Sequence, residues 1–397
     1  MVYEMFPESK NPEAQFIGFA SDNYSGAHPR VLEWIEEANK GYARPYNDDI
    51  YTTRFRSLMN QAFGKEVAVF PSLNGTGTNV FALRSLLPRW GTVCAPETAH
   101  INTDEAGAPE HMAGLKIMTA PTKDGKMLPS DIEDLSKALG DIHSAQPAIV
   151  SISNTTERGT VYNAQELGLL AHAAHSHGML IHVDGARIFN AIATLGYNSI
   201  NEGLKDLYGD TGIDALSFGG TKVGAMSAEA VVVLHPAASP LVRGAKFSQK
   251  QMGQLASKAR YSSAQFLALL EDDLALDLAK KANENTQKLF KKYVEVTGAV
   301  KAPESYLVGA TSVYASGADE AVEQENTNNS YLYQSEPEAN AFFPTMPTKI
   351  IKKMRETHHF YDIASEGDST TIRLMCSWQT SDKEIAGFEE ALKKAIK

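Results

Sequence analysis

Short apolar runs rich in β-branched residues alternate with helical patterns from about residue 67 to residue 234. Seven runs have this character, among them 67–70, 148–152 and 179–183, and helical patterns such as 164–177 separate them. Strands that are apolar at consecutive positions are buried on both faces, as in parallel sheets covered by helices. The alternation therefore predicts an α/β domain with a mostly parallel, seven-stranded sheet.

The chain is long enough for a second domain. It has 397 residues, more than one hydrophobic core usually supports. A helical pattern runs from near Gly253 past Leu274 towards Val294, and a strand-like run over 371–375 with a terminal helical pattern predicts a compact α+β unit behind it. We therefore expect an N-terminal arm over 1–30, a large domain over 31–260, and a bridging helix with a smaller C-terminal α+β domain over 261–397.

Composition excludes several classes of protein. The formal net charge is −11, whereas sequence-independent nucleic-acid binding needs dense lysine and arginine on one face. Cys94 and Cys376, the two cysteines, form no C-x-x-C pair, so neither a zinc ribbon nor a disulfide framework is indicated. The first ten residues do not resemble a secretory signal, and apolar stretches such as 228–234 are too short to cross a bilayer. We expect a cytoplasmic protein that binds neither nucleic acid nor a membrane.

A glycine- and threonine-rich segment, Asn74-Gly75-Thr76-Gly77-Thr78-Asn79, follows the first strand-like run and precedes an apolar helical pattern. Free backbone N–H groups at the start of a helix favour a phosphate group, which makes Gly75 and Thr76 candidate phosphate ligands. The segment does not match G-x-G-x-x-G, because Val80 occupies the position of the third glycine. An ordinary helix N-terminus is the alternative interpretation.

Polar side chains follow two of the predicted strands. Asp184 and Arg187 come directly after the run over 179–183, at the edge of an open α/β sheet where ligands bind. The aspartate can hold a protonated ring nitrogen and the arginine can bind a carboxylate or phenolate, unless the two side chains only pair with each other. His100 follows the strand that contains Cys94, and its imidazole can stack on an aromatic cofactor or act as a base near neutral pH. A packed or exposed histidine without a function is the alternative.

Lys222 lies in the run Ser217-Phe218-Gly219-Gly220-Thr221-Lys222-Val223-Gly224, just after an apolar run. Glycine has no Cβ, so the backbone of this run can approach a flat ligand closely, although a solvated loop lysine is the alternative. A phosphate anchor, an acid for a ring nitrogen and a lysine for an aldehyde are the groups needed to hold pyridoxal 5'-phosphate (PLP). Taken together in this order along the chain, the motifs predict PLP as the cofactor.

Three histidines, His172, His175 and His177, cluster on the predicted helix over 164–177. The first two can share a helical face, but no carboxylate follows at a matching spacing and the chain has no H-E-x-x-H motif. We interpret the cluster as a solvated helix face and predict no metal site.

The chain resembles the threonine aldolase family of PLP enzymes, whose fold is that of aspartate aminotransferase, fold type I. The resemblance spans nearly the whole chain, from Phe19-Ala20-Ser21-Asp22-Asn23-Tyr24 to Arg373-Leu374-Met375-Cys376-Ser377-Trp378. The run His182-Val183-Asp184-Gly185-Ala186-Arg187-Ile188-Phe189-Asn190-Ala191 is highly characteristic of the family, and so is Asn47-Asp48-Asp49-Ile50-Tyr51. The implied fold is a large domain with a mostly parallel seven-stranded sheet and a smaller C-terminal domain.

The resemblance implies roles for the cofactor-binding residues. Lys222 would bind the cofactor aldehyde covalently, Asp184 would hold the pyridine nitrogen, and His100 would stack on the ring. Gly75 and Thr76 would hold the phosphate.

The resemblance also implies a substrate site. Ser21, Arg187 and Arg373 would grip the substrate carboxylate. His143 matches a histidine that reaches the substrate hydroxyl in relatives, and we predict it as the catalytic base in preference to the stacked histidine. Arg260 matches an arginine near the cofactor phosphate that a neighbouring subunit supplies.

The implied reaction is reversible aldol cleavage of L-threonine, L-allo-threonine and related β-hydroxy-α-amino acids to glycine and an aldehyde. A β-eliminating lyase, or an aldolase for phenylserine or 3-hydroxyaspartate, is the alternative. Enzymes of this type form homodimers or homotetramers with shared active sites. Three departures from the family pattern bear on the substrate side chain: Thr221-Lys222-Val223 replaces Ser-Lys-Gly, Asn154-Thr155-Thr156-Glu157 replaces Asn-Thr-His-Asn, and Ser377 replaces a histidine.

Overall fold

The structure, a computed structural model, describes residues 18–303 and 330–397. The first 17 residues of the predicted N-terminal arm therefore lie outside the described part. Seven strands form the larger sheet: β1 (Ala68–Ser72), β2 (Gly91–Pro96), β3 (Lys116–Ala120), β4 (Gln146–Ser153), β5 (Leu180–Gly185), β6 (Ala215–Gly219) and β7 (Glu229–Val233). Their order is β1-β7-β6-β5-β4-β2-β3, and β7 is antiparallel to both of its neighbours. The four other pairings are parallel, which confirms the predicted mostly parallel, seven-stranded sheet.

Helices cover both faces of this sheet. The α-helices of the described residues are α1 (Pro29–Ala38), α2 (Ile50–Phe63), α3 (Gly75–Leu86), α4 (His100–Thr103), α5 (Ala108–Ala113), α6 (Pro129–Ser136), α7 (Ala164–Ser176), α8 (Ile188–Thr194), α9 (Ile200–Leu204), α10 (Pro240–Gln251), α11 (Arg260–Leu270), α12 (Leu274–Thr297), α13 (Thr348–Met354) and α14 (Asp382–Ile396). The last two, α13 and α14, pack in the core of the C-terminal part instead. Several helices begin at a residue whose side chain accepts a hydrogen bond from the first turn, as Asn74 does for α3 and Asn163 for α7. None of the helices in the described residues is long and apolar enough to span a bilayer.

The core of the larger sheet is aromatic where the helices meet it. Phe55 of α2 stacks on Phe266 of α11 with ring centroids 4.6 Å apart, and Phe218 of β6 contacts Phe266 from the sheet side. All three side chains are completely buried. Burial on both faces explains why the central strands are apolar at consecutive positions.

The predicted long helix is interrupted. Asp272 and Asp273, between α11 and α12, have left-handed backbone conformations with φ of 58° and 55°. Their side chains stabilise the break, because Asp272 pairs with Arg30 at 2.8 Å and Asp273 accepts a hydrogen bond from the backbone N–H of Ile200 at 2.7 Å. The expectation of one continuous helix from near Gly253 is therefore wrong, since these tertiary contacts override the helical periodicity.

The second sheet belongs to the C-terminal part. Its strands are β8 (Val300–Lys301), β9 (Leu332–Tyr333), β10 (Ala341–Phe342), β11 (Pro344–Pro347), β12 (Tyr361–Glu366) and β13 (Ser369–Met375), with β13 between β10 and β11 and paired also to β12. This finding confirms a smaller C-terminal sheet domain. The first half of α12 packs in the large core and its second half, through Leu289 and Phe290, in the small one. We propose that the domain boundary lies within α12.

Candidate active site

A solvent-open cavity lies at the carboxyl edge of the larger sheet, and its empty volume of about 520 Å³ includes solvent space at its mouth. The ends of β4, β5 and β6, the first turns of α3 and α4, and the start of the antiparallel β7 all contribute to its wall. Six of the ten predicted site residues line it: Gly75, Thr76, His100, Asp184, Arg187 and Lys222. The sheet topology therefore brings together motifs that are far apart in sequence, as expected for ligand sites in open α/β sheets.

Asp184, at the end of β5, is held as an anion. Its Oδ2 accepts a hydrogen bond from the amide of Asn79 at 2.8 Å, and its Oδ1 accepts one from the backbone N–H of Ala186 at 2.9 Å. Burial opposes ionisation, but the positive charge of Lys222 and these hydrogen bonds together lower the pKa of Asp184 below its usual value. A buried carboxylate of this kind can hold a protonated ring nitrogen.

His100 is fixed through a chain of polar side chains. Its Nδ1 lies 2.9 Å from Oε1 of Glu105, and the same oxygen accepts a hydrogen bond from Asn79, the residue that also binds Asp184. The hydrogen bond to Glu105 raises the pKa of His100, although burial opposes the shift. The chain thus fixes the orientation of the imidazole relative to Asp184.

Lys222 lies in a single 3₁₀ turn, Thr221–Val223, between β6 and β7. Burial lowers its pKa, and the positive charge of Arg187 adds to the effect. Asp22, Asp184 and Glu229 oppose the shift. A lowered pKa increases the fraction of neutral amine, which is the form that attacks an aldehyde. The position of Lys222 in the cavity wall disfavours the solvated loop lysine.

The glycines before Lys222 serve packing between strand ends rather than the approach to a ligand. A Cβ at Gly219 would lie 2.8 Å from the Cα of Ala186. At Gly220 it would lie 3.0 Å from the carbonyl oxygen of Ala228. At Gly75, by contrast, a Cβ would meet nothing within 4 Å.

This contrast predicts opposite outcomes for two alanine substitutions. Gly219→Ala is expected to destabilise the apoprotein by about 1–3 kcal/mol, because the added methyl overlaps backbone that cannot move without disturbing β5. Gly75→Ala, the matched control at the first position of α3, is expected to leave the stability within about 0.5 kcal/mol. Urea unfolding of both variants measures the difference. Equal stability of the two variants would show that the strand ends are loosely packed.

Arg187 is held by a partner that the sequence did not indicate. Its Nε and one terminal nitrogen donate to the two carboxylate oxygens of Asp22 at 2.7 and 3.1 Å. Asp22 also accepts a hydrogen bond from Asn340 at 3.0 Å. Burial opposes ionisation of Asp22, yet Arg187 and Lys222 lower its pKa to about 2. The local pair between Arg187 and Asp184 is therefore not formed.

Asp22→Asn is expected to destabilise the protein by about 3–5 kcal/mol near neutral pH, because it leaves the buried charge of Arg187 without its partner. The folded-state pKa of Asp22 is depressed, so its contribution is present above pH 3.8 and is lost as the pH falls through about 2. The difference between wild type and variant in unfolding free energy should shrink over that range. Asp272→Asn, at the exposed pair with Arg30, is the control and should cost less than about 1 kcal/mol. A pH-independent difference would contradict the assignment.

Two predicted substrate residues lie next to the cavity without lining it. Ser21 caps the short helix Asp22–Tyr24, and its hydroxyl accepts a hydrogen bond from the backbone N–H of Asn23 at 3.2 Å. Arg373, on β13, donates to the carbonyl of Ala20 at 2.8 and 3.1 Å. Burial and the charge of Arg187 lower the pKa of Arg373, so the two guanidinium groups are close in space.

Two other predicted residues lie away from the cavity of their own chain. Arg260 starts α11 and donates to the carbonyl of Gly41 at 3.3 Å. His143 is exposed in the turn before β4, whose eight residues separate it from the cavity. At about 3.3 Å per residue, this distance is more than about 20 Å. A base must lie within hydrogen-bond reach of its proton, so His143 is too distant to act in the cavity of its own chain, and its role as the base stays a prediction for a site shared between subunits.

The histidine cluster on α7 is engaged at the opposite edge of the sheet. His175 contacts Oδ2 of Asp214 at 2.9 Å, and the other oxygen of Asp214 contacts His235 at 2.8 Å. His175 is thus part of a hydrogen-bonded cluster with Asp214 and His235 rather than only a solvated face.

Acidic side chains in the cavity wall were missed by the sequence analysis. Glu229 is the first residue of β7, an otherwise apolar strand, and burial raises its pKa to about 7 although Thr221 and Lys222 oppose the shift. Glu105 and Glu157 also line the cavity. A carboxylate inside an apolar strand was the available signal for Glu229.

The side chains fit PLP. Lys222 offers an amine, Asp184 offers an anion for a ring nitrogen, and the first turn of α3 offers backbone N–H groups beside the open space at Gly75. The buried Oδ1 of Asn79 has no hydrogen-bond partner among the described residues, as expected for an atom beside a ligand.

Comparisons with known proteins identify the family to which the chain belongs. The model of the beta-eliminating lyase family matches residues 18–310. The chain is 35% identical to a low-specificity L-threonine aldolase of Pseudomonas aeruginosa over 92% of this chain and 94% of the relative. A low-specificity L-threonine aldolase of Escherichia coli K12 is 28% identical over 65% of this chain and 75% of its own.

Solved structures agree as well. A threonine aldolase of Leishmania major superimposes with a TM-score of 0.81 at 27% identity, covering 96% of this chain and 100% of that chain. An aspartate aminotransferase of Thermus thermophilus shares the fold with a TM-score of 0.62 at 13% identity. Enzymes of this family and fold depend on PLP, which confirms the predicted cofactor. The chain therefore belongs to the beta-eliminating lyase family and is a PLP-dependent lyase of the fold found in threonine aldolases.

Proposed function

We propose that this protein cleaves L-threonine, L-allo-threonine and related β-hydroxy-α-amino acids to glycine and an aldehyde. The observation that carries the proposal is the convergence of Lys222 and the ionised Asp184 on one cavity, in a chain 35% identical to a low-specificity L-threonine aldolase. When bound, PLP supplies an electron-withdrawing ring that stabilises negative charge at the substrate Cα.

Each residue of the cavity contributes to this reaction through its position. The first turn of α3, with Gly75 and Thr76, binds the phosphate, and Asp184 keeps the ring nitrogen protonated. His100, oriented by Glu105, packs on the ring. Lys222 would supply the amine that holds the cofactor, and the cofactor when bound would accept the substrate amine in its place.

The substrate carboxylate is the anchor that selects which bond breaks. Arg187, fixed by Asp22, binds it together with Arg373 and Ser21. Fixing the carboxylate in this way would restrict rotation of the substrate, so that the Cα–Cβ bond rather than another bond at Cα is presented for cleavage.

Further parts of the proposal concern assembly and location. We propose a cytoplasmic homodimer or homotetramer with shared active sites. Arg260 supports sharing, because it lies outside the cavity of its own chain and its buried Nε has no hydrogen-bond partner in the described residues. In the assembly it would serve the phosphate site of a neighbouring subunit.

Product analysis tests the function. The purified protein with PLP is incubated with L-threonine, L-allo-threonine and L-phenylserine, and the products are identified. Glycine with the matching aldehyde supports the proposal, and the rates rank the side chains. Release of 2-oxo acid and ammonia without glycine would overturn it in favour of β-elimination.

A further inference from the structure

Glu157, in the loop after β4, is a buried carboxylate that the proposed function has not used. Its Oε1 accepts two hydrogen bonds, from the hydroxyl of Ser153 at 2.6 Å and from the backbone N–H of His100 at 2.9 Å. These contacts tie the end of β4 to the first turn of α4. Oε1 of Glu157 therefore has a structural role.

The other carboxylate oxygen of Glu157, Oε2, has no such role. Oε2 of Glu157 is buried and has no hydrogen-bond partner among the described residues, although Glu157 lines the cavity. A buried acceptor without a partner costs free energy unless a ligand satisfies it. Burial also raises the pKa of Glu157, and the nearby charge of Asp184 adds to the effect, while Ser153 and the N–H of His100 oppose it. A raised pKa makes this carboxylate a stronger proton acceptor than an ordinary glutamate.

The other acidic side chains of the cavity are already engaged. Both oxygens of Asp184 accept hydrogen bonds within the protein. Glu105 binds His100 and Asn79 through one oxygen, and although its Oε2 also lacks a partner among the described residues, its side chain is completely buried. Glu229, at the start of β7, forms a hydrogen bond with Thr221, and this bond and the positive charge of Lys222 both lower its pKa against the effect of burial. Glu157 is thus the partly exposed acid of the cavity wall whose contacts with the protein leave one oxygen without a partner among the described residues.

We propose that Oε2 of Glu157 binds the β-hydroxyl of the substrate and takes its proton when the Cα–Cβ bond breaks. This inference rests on the proposed function. The hydroxyl O–H bond breaks as the new O–H bond to Glu157 forms, and the hydroxyl carbon becomes the aldehyde carbonyl. The electron pair of the Cα–Cβ bond stays with the Cα fragment, which becomes glycine after protonation. Glu157 returns the proton to water or to this fragment.

The test compares aldehyde release, which needs a β-hydroxyl on the substrate, with α-proton exchange of glycine, which does not. Glu157→Gln keeps an oxygen to accept the hydrogen bonds from Ser153 and His100 but cannot take a proton. Aldehyde release from L-threonine is compared with exchange of the glycine α-proton for deuterium, followed by NMR. PLP affinity is measured by absorbance titration of the apoprotein. Glu133→Gln, an exposed carboxylate on α6, is the matched control.

We expect Glu157→Gln to lower kcat/KM for aldehyde release by about 10²–10⁴-fold. Glycine exchange and the Kd for PLP should stay within about threefold of wild type, because neither involves a β-hydroxyl. Cleavage within threefold of wild type would overturn the inference. So would a parallel loss of cleavage and exchange, which would mean that Glu157 only positions His100.

Two further outcomes are distinguishable. If Glu157→Gln does not fold, Glu157→Asp, which keeps the charge on a shorter side chain, is judged by the same ratio of cleavage to exchange. A wild-type protein that exchanges glycine but releases no aldehyde from any β-hydroxy-α-amino acid overturns the proposed function itself, and the inference with it.

Discussion

Lys222→Ala is expected to lower kcat/KM for aldehyde release by at least about four orders of magnitude, since no other amine can take over covalent capture of the cofactor. The apoprotein should fold at least as stably as wild type near neutral pH. Burial lowers the pKa of Lys222, which means that the folded protein disfavours its charged form, and alanine removes that penalty. Functional groups placed in a desolvated site commonly reduce stability in this way.

Borohydride reduction followed by mass spectrometry provides a second readout. Wild type should carry a reduced cofactor on the peptide that contains Lys222, and the variant should carry none. Lys352→Ala, which removes an exposed lysine on α13, is the control and should behave as wild type. Labelling of a different lysine in wild type, or substantial activity of Lys222→Ala, would remove the central element of the site.

Asp184→Asn is expected to lower kcat by about 10²–10³-fold, because a neutral amide no longer keeps the ring nitrogen protonated. The structure adds a second cost. Asn79 and the backbone N–H of Ala186 both donate to Asp184, at 2.8 and 2.9 Å, so either orientation of the new amide places an N–H opposite a donor. One hydrogen bond is lost in each case, at a cost of about 1–3 kcal/mol.

Cofactor affinity distinguishes this loss from general destabilisation. Asp214→Asn provides the control, because Asp214 is also a carboxylate that accepts hydrogen bonds within the large domain but contacts His175 and His235 at the opposite edge of the sheet. Both variants should unfold more easily than wild type. The Kd for PLP, measured by fluorescence, should rise for Asp184→Asn only. Equal cofactor affinity of Asp184→Asn and wild type would contradict the assigned role of Asp184.

The parts of the fold that could be predicted from sequence are those in which burial shapes the pattern of apolar residues. The direction of a single strand and the position of a helix break, which depend on tertiary contacts, could not be predicted in this way. Consecutive apolar positions identified the strands, because burial on both faces leaves that trace in sequence. The antiparallel direction of β7 leaves no such trace, since a buried strand reads the same in either direction. The break at Asp272 and Asp273 depends on contacts with Arg30 and Ile200, which are distant in sequence.

The site shows the same division. Lys222 and Asp184 follow apolar strands, so their shared location at the carboxyl edge could be inferred from sequence. Asp22 comes from a segment with no periodicity, and its pairing with Arg187 appears only in three dimensions. His143 was assigned from resemblance, although its place before β4 in the sequence already put it at the amino edge of the sheet. Whether a residue precedes or follows its strand in the sequence therefore indicates the edge of the sheet at which it lies, and this is as informative about a site as a motif match.

The reversed direction of β7 also determines how far Lys222 can travel. Its loop is closed at both ends, because the backbone N–H of Gly220 donates to Ala228 at 2.9 Å and that of Ala225 donates to Gly220 at 3.1 Å. The Lys222 amine therefore stays within one side-chain length of a fixed backbone position in the cavity wall. Such a tether gives a local amine concentration in the millimolar range or above, so we expect that a cofactor held by the proposed lysine is recaptured readily after each turnover.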